Sequence, residues 1–188
     1  MDLVAWAADE SQRRLAPVGS RWAHSRAVAS RAREIAAVVA PSDRGMLVAA
    51  AYLHDIGYAP ELVMSDFHPL DGARWLQKQG LERLAGLVAH HTGAIFEADA
   101  LGLADAMGRF HDERSAVSDA LMYSDLTAGP TGERMSVAER LSEIESRYGL
   151  DSVVVRALDT ASESLLAAVE RTEDRLATLT GGVRTSTH

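Results

Sequence analysis

Cysteine is absent from this 188-residue chain, which excludes disulfides, thiolate metal sites and a cysteine nucleophile. Lysine is nearly absent. Lys78 is the single lysine and the rest of the 19 basic residues are arginine, so any phosphate clamp must be built from guanidinium groups, which are good bidentate phosphate ligands. Strand signals are missing: there is no sustained period-2 alternation and no pair of β-branched runs around a hairpin turn. No apolar run approaches the ~18 residues that cross a bilayer. The opening stretch MDLVAWAADESQRRLAP is acidic from its second residue and predicts an amphipathic helix, not a signal peptide. These absences predict a cytoplasmic protein with no membrane partner. A basic surplus is also lacking, since 27 acidic residues against 19 basic ones give a net charge of −8. That balance argues against polymeric nucleic acid as a partner. A small phosphorylated substrate remains compatible, because a bound metal can supply the positive charge locally.

Helical periodicity fills the chain. The composition, 47% hydrophobic and 24% charged, is that of a globular protein able to bury one sizeable core. Helices are expected over about residues 2–15, 21–40, 43–55, from Pro69 to Gly80, 81–91, 114–127, 136–148 and 151–178. In the second, His24, Val28, Ile35 and Val39 share one face. The third is apolar almost all round and predicts the buried centre of the domain. SVAE at 136–139 has the capping-box pattern, whereas TGAIFEADALG reads as irregular or only weakly helical. The expected fold is all-α, a single helical domain over residues 1–180 with a polar tail at 181–188.

Histidine placement points to chemistry. The run at residues 46–53 is wholly apolar, yet it ends on His54 and Asp55, with Gly57 just behind. His24 lies on the apolar face of its helix, His90 and His91 follow the apolar LERLAGLVA, and Asp125 sits among Leu121, Met122 and Leu126. Burying such groups unpartnered costs several kcal/mol. A lone histidine of this kind is ordinarily a hydrogen-bonded core residue, but His24, His54, Asp55 and Asp125 together are accounted for more economically by a shared metal. Imidazole with carboxylate suits Fe, Mn, Co, Ni or Zn, and the carboxylate share leans away from a purely structural zinc site. A carboxylate next to a histidine at a helix end, as Asp55 is, could also bridge two ions.

The ordered series RWAHSRAVA, YLHDIGY, DFHPLDGARWL, LVAHHTGA and MYSDLTAG resembles the HD-domain metal-dependent phosphohydrolase superfamily, over about residues 20–130. The resemblance implies a helical bundle in which His24, His54, Asp55 and Asp125 bind a first metal. The segment HPLDGARWL is similar to the HPxxGxxxL of binuclear members, including the HD-GYP cyclic-dinucleotide phosphodiesterases, which implies that His68 binds a second ion. HHTG is similar both to the HHE of those enzymes and to the YHTTG of HD-type dinucleoside tetraphosphate hydrolases. Either His90 or His91 would complete the second site, and the latter comparison favours His91. His111 matches no family position and reads as a surface residue. The chain departs from the pattern in two places: Tyr58 stands where many relatives carry a lysine or arginine after HDIG, and no GYP segment follows His91, which argues against a cyclic dinucleotide.

The implied activity is metal-assisted hydrolysis of a nucleotide or another small phosphate ester or anhydride, using one or two divalent transition-metal ions, foremost iron or manganese. Asp55 and Asp125 are then the catalytic carboxylates. Arg21, one turn before His24, and Arg134, in the Gly-Pro-Gly loop after Asp125, are candidate substrate contacts, each with a solvated-arginine alternative. Two other functions fit the same ligands: a mixed-valent di-iron oxygenase of the HD type, and a non-catalytic metal-containing regulatory or binding module. A homo-oligomer is compatible with all three.

Overall fold

Ten α-helices and no strand make up the described residues, 2–181, of the computed structural model. Residues 182–188, and with them His188 and nearly all of the expected tail, lie outside the described residues.

The helix that ends on His54 is the hub. α3 (Arg44–Leu53) buries every residue from Leu47 to Leu53. It packs against α1 (Leu3–Leu15), α2 (Arg21–Glu34), α5 (Glu82–Ala89) and α8 (Ala116–Leu126). Its run of alanines at 49–51 is fully buried, and these small side chains let neighbouring helices approach from several sides. Asp2 caps α1 by accepting from the Val4 and Ala5 amides, the ordinary satisfaction of free N–H groups at a helix start.

α4 (His68–Lys78) and α5 form an antiparallel pair, turning at Gly80 with φ +74°, a left-handed conformation that glycine adopts without a Cβ clash. α4 begins on His68 itself, with Pro69 inside its first turn. α9 (Val137–Tyr148) opens with the expected capping box, Ser136 and Glu139 each bonding the other's backbone. The long α10 (Val153–Gly181) lies across α8 and α6 (Ala94–Ala100).

Two expectations are corrected. The second helix ends at Glu34 and a separate 3-10 turn covers Ala36–Val38. Ile35 and Val39 are both buried, but they reach the core from this turn and its flank, not from the face that carries His24. The stretch 92–102, read as irregular or only weakly helical, holds α6 (Ala94–Ala100), followed by α7 (Ala104–Met107). Ala94 and Ala98, one turn apart, are buried there against the body of the fold. Packing of that short face supplies what the local sequence pattern lacks.

Candidate metal centre

Five segments converge on one point. α2 presents His24, the end of α3 presents His54 and Asp55, α4 starts with His68, the turn after α5 carries His91, and α8 delivers Asp125 in its last turn. His24, His54, Asp55, His91 and Asp125 are all buried. The four rings form a chain of edge contacts, with centroids 5.3 Å apart for His24–His54, 5.2 Å for His54–His91 and 5.3 Å for His68–His91.

Backbone carbonyls fix which nitrogens are free. A carbonyl can only accept, so His54 Nδ1–H donates to Ala51 O at 2.9 Å, His91 Nδ1–H to Val88 O at 2.6 Å and His24 Nδ1–H to Gly129 O at 3.0 Å. In the neutral imidazole each Nε2 is then a bare lone pair. All three Nε2 atoms lie toward the cluster: His24 Nε2 is 3.0 Å from Asp125 Oδ1, and His91 Nε2 is 3.4 Å from His68 Nε2. His54 Nε2 is buried with no hydrogen-bond partner, 3.6 Å from Asp55 Oδ1 and 3.8 Å from Asp125 Oδ1. Lone pairs and carboxylates facing one another at these distances call for protons or cations between them.

A metal ion fits that requirement. His24, His54 and Asp55 can each offer a ligand atom with all three within 4.8 Å of one another, and so can Asp55, His68 and His91. Asp55 belongs to both sets, and its Oδ1 is 3.3 Å from His68 Nε2. Asp125 lies beside the first set, its Oδ1 3.0 Å from His24 Nε2. Second bonds from ligand imidazoles to backbone carbonyls are the usual way of orienting metal-binding histidines.

Charge without metal is arranged accordingly. Burial is the largest influence on His54 and His68 and pushes both below the usual imidazole range, His68 well below it. Burial also opposes the charged form of His24, but the Asp125 hydrogen bond and the charges of Asp125 and Asp55 outweigh it and raise its pKa. For Asp55 and Asp125 burial again opposes charge. The surrounding histidines, with Arg21 beside Asp55 and Arg140 beside Asp125, prevail and hold both carboxyls well below the ordinary range.

The cluster forms the floor of a cavity of about 420 Å³. Arg21, Arg140 and Arg147 also line it, and Ile144, Val154 and Leu158 form an apolar part of its wall. Arg21 donates to Asp55 Oδ2 at 3.1 Å, and its guanidinium lies 3.6 Å from the centre of the Tyr58 ring. Tyr58 in turn stacks on His68, with centroids 4.0 Å apart and planes 16° off parallel. The cationic group that does not follow HDIG in the sequence is thus supplied over the face of Tyr58 by α2.

Two of the sequence candidates are not brought to the centre. His90 turns away, its Nε2–H donating to Phe110 O at 2.9 Å. Within the HH pair it is His91 that faces the cluster. Arg134 is 64% exposed and pairs with Glu34 outside the cavity, which matches its solvated-arginine alternative. His111 is exposed, as expected. Gly57 is required by the packing behind Asp55. A Cβ there would lie 2.0 Å from the His68 carbonyl oxygen and 2.7 Å from the Gly72 nitrogen, so glycine is what lets the chain behind Asp55 seat the first turn of α4.

Thr92 and Arg140 carry no strong local signal and were missed in the sequence. Thr92 is in the left-handed region at φ 46°, ψ 43°, uncommon for a β-branched residue. Its hydroxyl donates to Asp125 Oδ2 at 2.5 Å, and its place directly after His91 in HHTG is the one available clue.

A family model for the HD domain matches residues 21–142. The chain belongs to the HD domain family. No curated protein and no solved structure matches it. HD membership implies the metal-dependent hydrolase superfamily, most of whose members are phosphohydrolases, and HD domains bind divalent metals. The His/Asp group described above could hold a metal. None of the described helices is long and apolar enough to cross a membrane.

Proposed function

We propose that this HD-domain chain is a metal-dependent phosphohydrolase acting on a nucleotide or another small phosphate ester or anhydride. The observation that carries the reading is the meeting of two His/Asp donor sets at Asp55 on the floor of an arginine-lined cavity. In this reading His24, His54, Asp55 and Asp125 would hold a first divalent ion, with Asp55, His68 and His91 for a second; iron or manganese are foremost, with Co, Ni and Zn compatible donors' choices. When bound, such ions supply Lewis acidity that neutralises phosphoryl charge and acidifies water.

The chain's own groups orient the reaction. Arg21, rigidly stacked on Tyr58, binds a phosphate oxygen at the mouth of the site. Ionised Asp55 and Asp125 are the proton acceptors for a nucleophilic water, and the Thr92 hydroxyl fixes the rotamer of Asp125. The apolar residues Ile144, Val154 and Leu158 cover the organic part of the substrate and exclude water from it. No asparagine or glutamine lines the cavity among the described residues, so a base edge would not be read by a side-chain amide. A cavity of only about 420 Å³ and a net charge of −8 favour a small molecule over polymeric nucleic acid.

The test is phosphate release from a panel of nucleotides, simple phosphate monoesters and bis(p-nitrophenyl) phosphate, with Mn, Fe, Co or Ni added. Metal-dependent release that Asp125→Ala abolishes is expected. Stoichiometric metal with no turnover on any substrate would favour a regulatory or binding module. Iron-dependent oxygen uptake with an organophosphonate or a polyol would favour the oxygenase.

A further inference from the structure

Among the described residues, four buried side-chain polar atoms have no hydrogen-bond partner: Ser11 Oγ, Ser25 Oγ, His54 Nε2 and Arg140 Nε. The His54 atom belongs to the metal centre. Of the other three residues, Arg140 is the one that lines the cavity. Arg140 is only 6% exposed, yet it lines the cavity. A buried guanidinium normally has its donors satisfied, because a desolvated N–H left unpaired is destabilising.

Its surroundings hold it in place without filling it. Arg140 Nη1 pairs with Glu143, one turn further along α9, and Glu143 also pairs with Arg147 at the cavity edge. Arg140 Nη2 is 3.9 Å from Asp125 Oδ1, beyond hydrogen-bond reach. One face of the fork is thus clamped by Glu143, and the Nε–H has no acceptor. An anion entering the cavity beside Asp125 would supply one.

We propose that Arg140 is the buried anchor for the substrate's phosphoryl group, donating from Nε–H and Nη2 to non-bridging oxygens, with Glu143 as the positioning residue that holds the fork. This deepens the phosphohydrolase reading and rests on it for the identity of the anion. Planar bidentate donation to phosphate is the geometry that guanidinium supplies and ammonium does not.

The experiment is calorimetric binding of inorganic phosphate to the metal-loaded full chain, with metal content measured on every sample. Arg140→Met is expected to weaken phosphate binding at least tenfold while metal content stays at the wild-type level. Arg140→Lys, which keeps the charge and covers the case in which the Met variant does not fold, is expected to weaken it several-fold. Glu143→Gln should have a smaller effect in the same direction. Wild-type phosphate affinity in Arg140→Lys or Arg140→Met overturns the proposal, as does failure of the wild-type protein to bind phosphate. Loss of metal together with phosphate in Arg140→Met also overturns it, by making the arginine a support for Asp125. Arg140-dependent phosphate binding in a protein that hydrolyses nothing in the panel would keep the anchor and reject the hydrolase reading. With an active enzyme, the anchor predicts that Arg140→Lys raises KM for a phosphate monoester and lowers kcat.

Discussion

The floor and the wall of the cavity are built in opposite ways. On the floor, His24, His54 and His91 each have one nitrogen tied to a backbone carbonyl, so helix positions directly fix the orientation of the donor atoms. On the wall, Arg140 and Arg147 are held by a side chain, Glu143, and the apolar residues Ile144, Val154, Ala157 and Leu158 lie past the end of the family match at 142. Backbone anchoring suits a constellation that must keep fixed geometry. Side-chain anchoring can change with few substitutions. In this account, metal chemistry belongs to the floor and substrate choice to the wall.

The largest difference is expected within the adjacent pair His90 and His91. His91→Ala should empty the second donor set and strongly reduce hydrolysis. His90→Ala should leave metal content unchanged and cost about 1 kcal/mol of stability through its lost bond to Phe110. Metal analysis and thermal melting of the two variants decide it, and equal metal loss in both would erase the distinction drawn between them. Next is Gly57→Ala. The contact at 2.0 Å with the His68 carbonyl requires the start of α4 to move, at a cost of about 1–3 kcal/mol, and the second donor set should lose metal before the first does.

pH tests the floor without mutation. His54 and His68 are held below the usual imidazole range in the folded, metal-free protein, so the unfolded chain takes up their protons first as pH falls through about 6.5. Their contribution is stabilising above that pH and is lost below it. His24, with its pKa raised, acts in the opposite sense and offsets part of the loss. The melting temperature of metal-free protein should therefore fall between pH 7.5 and 5.5, and a rise over that range would contradict the assignment. The smallest effect is expected outside the cavity. Arg134→Ala should change stability by no more than about 0.5 kcal/mol and leave phosphate release at the wild-type level.

Much of the floor was legible because burial of several polar groups in apolar helices is costly enough to demand a common explanation. The run at 46–53 ending on His54 and Asp55 pointed to the hub helix and to its chemistry together. The choice between His90 and His91 was open, because adjacent residues at a helix end differ only in direction, and direction is set when His90 reaches Phe110 and His91 reaches the cluster. What Gly57 does was not legible, since the His68 carbonyl that packs on it is eleven residues away. Arg140 could not be singled out among so many arginines. Its meaning depends on burial, on the clamp by Glu143 and on an unpartnered Nε, none of which has a sequence signature. α6 registered at most as weakly helical because its stability comes from packing on the rest of the fold rather than from its own residue pattern.

Whether two donor sets share Asp55 is decided by metal analysis of wild-type protein and of Asp55→Ala, both purified without added metal and then loaded with manganese or iron. The account predicts bound metal in the wild type and none in the folded variant, because both sets lose a ligand at once. Full metal content in a folded Asp55→Ala protein would contradict it.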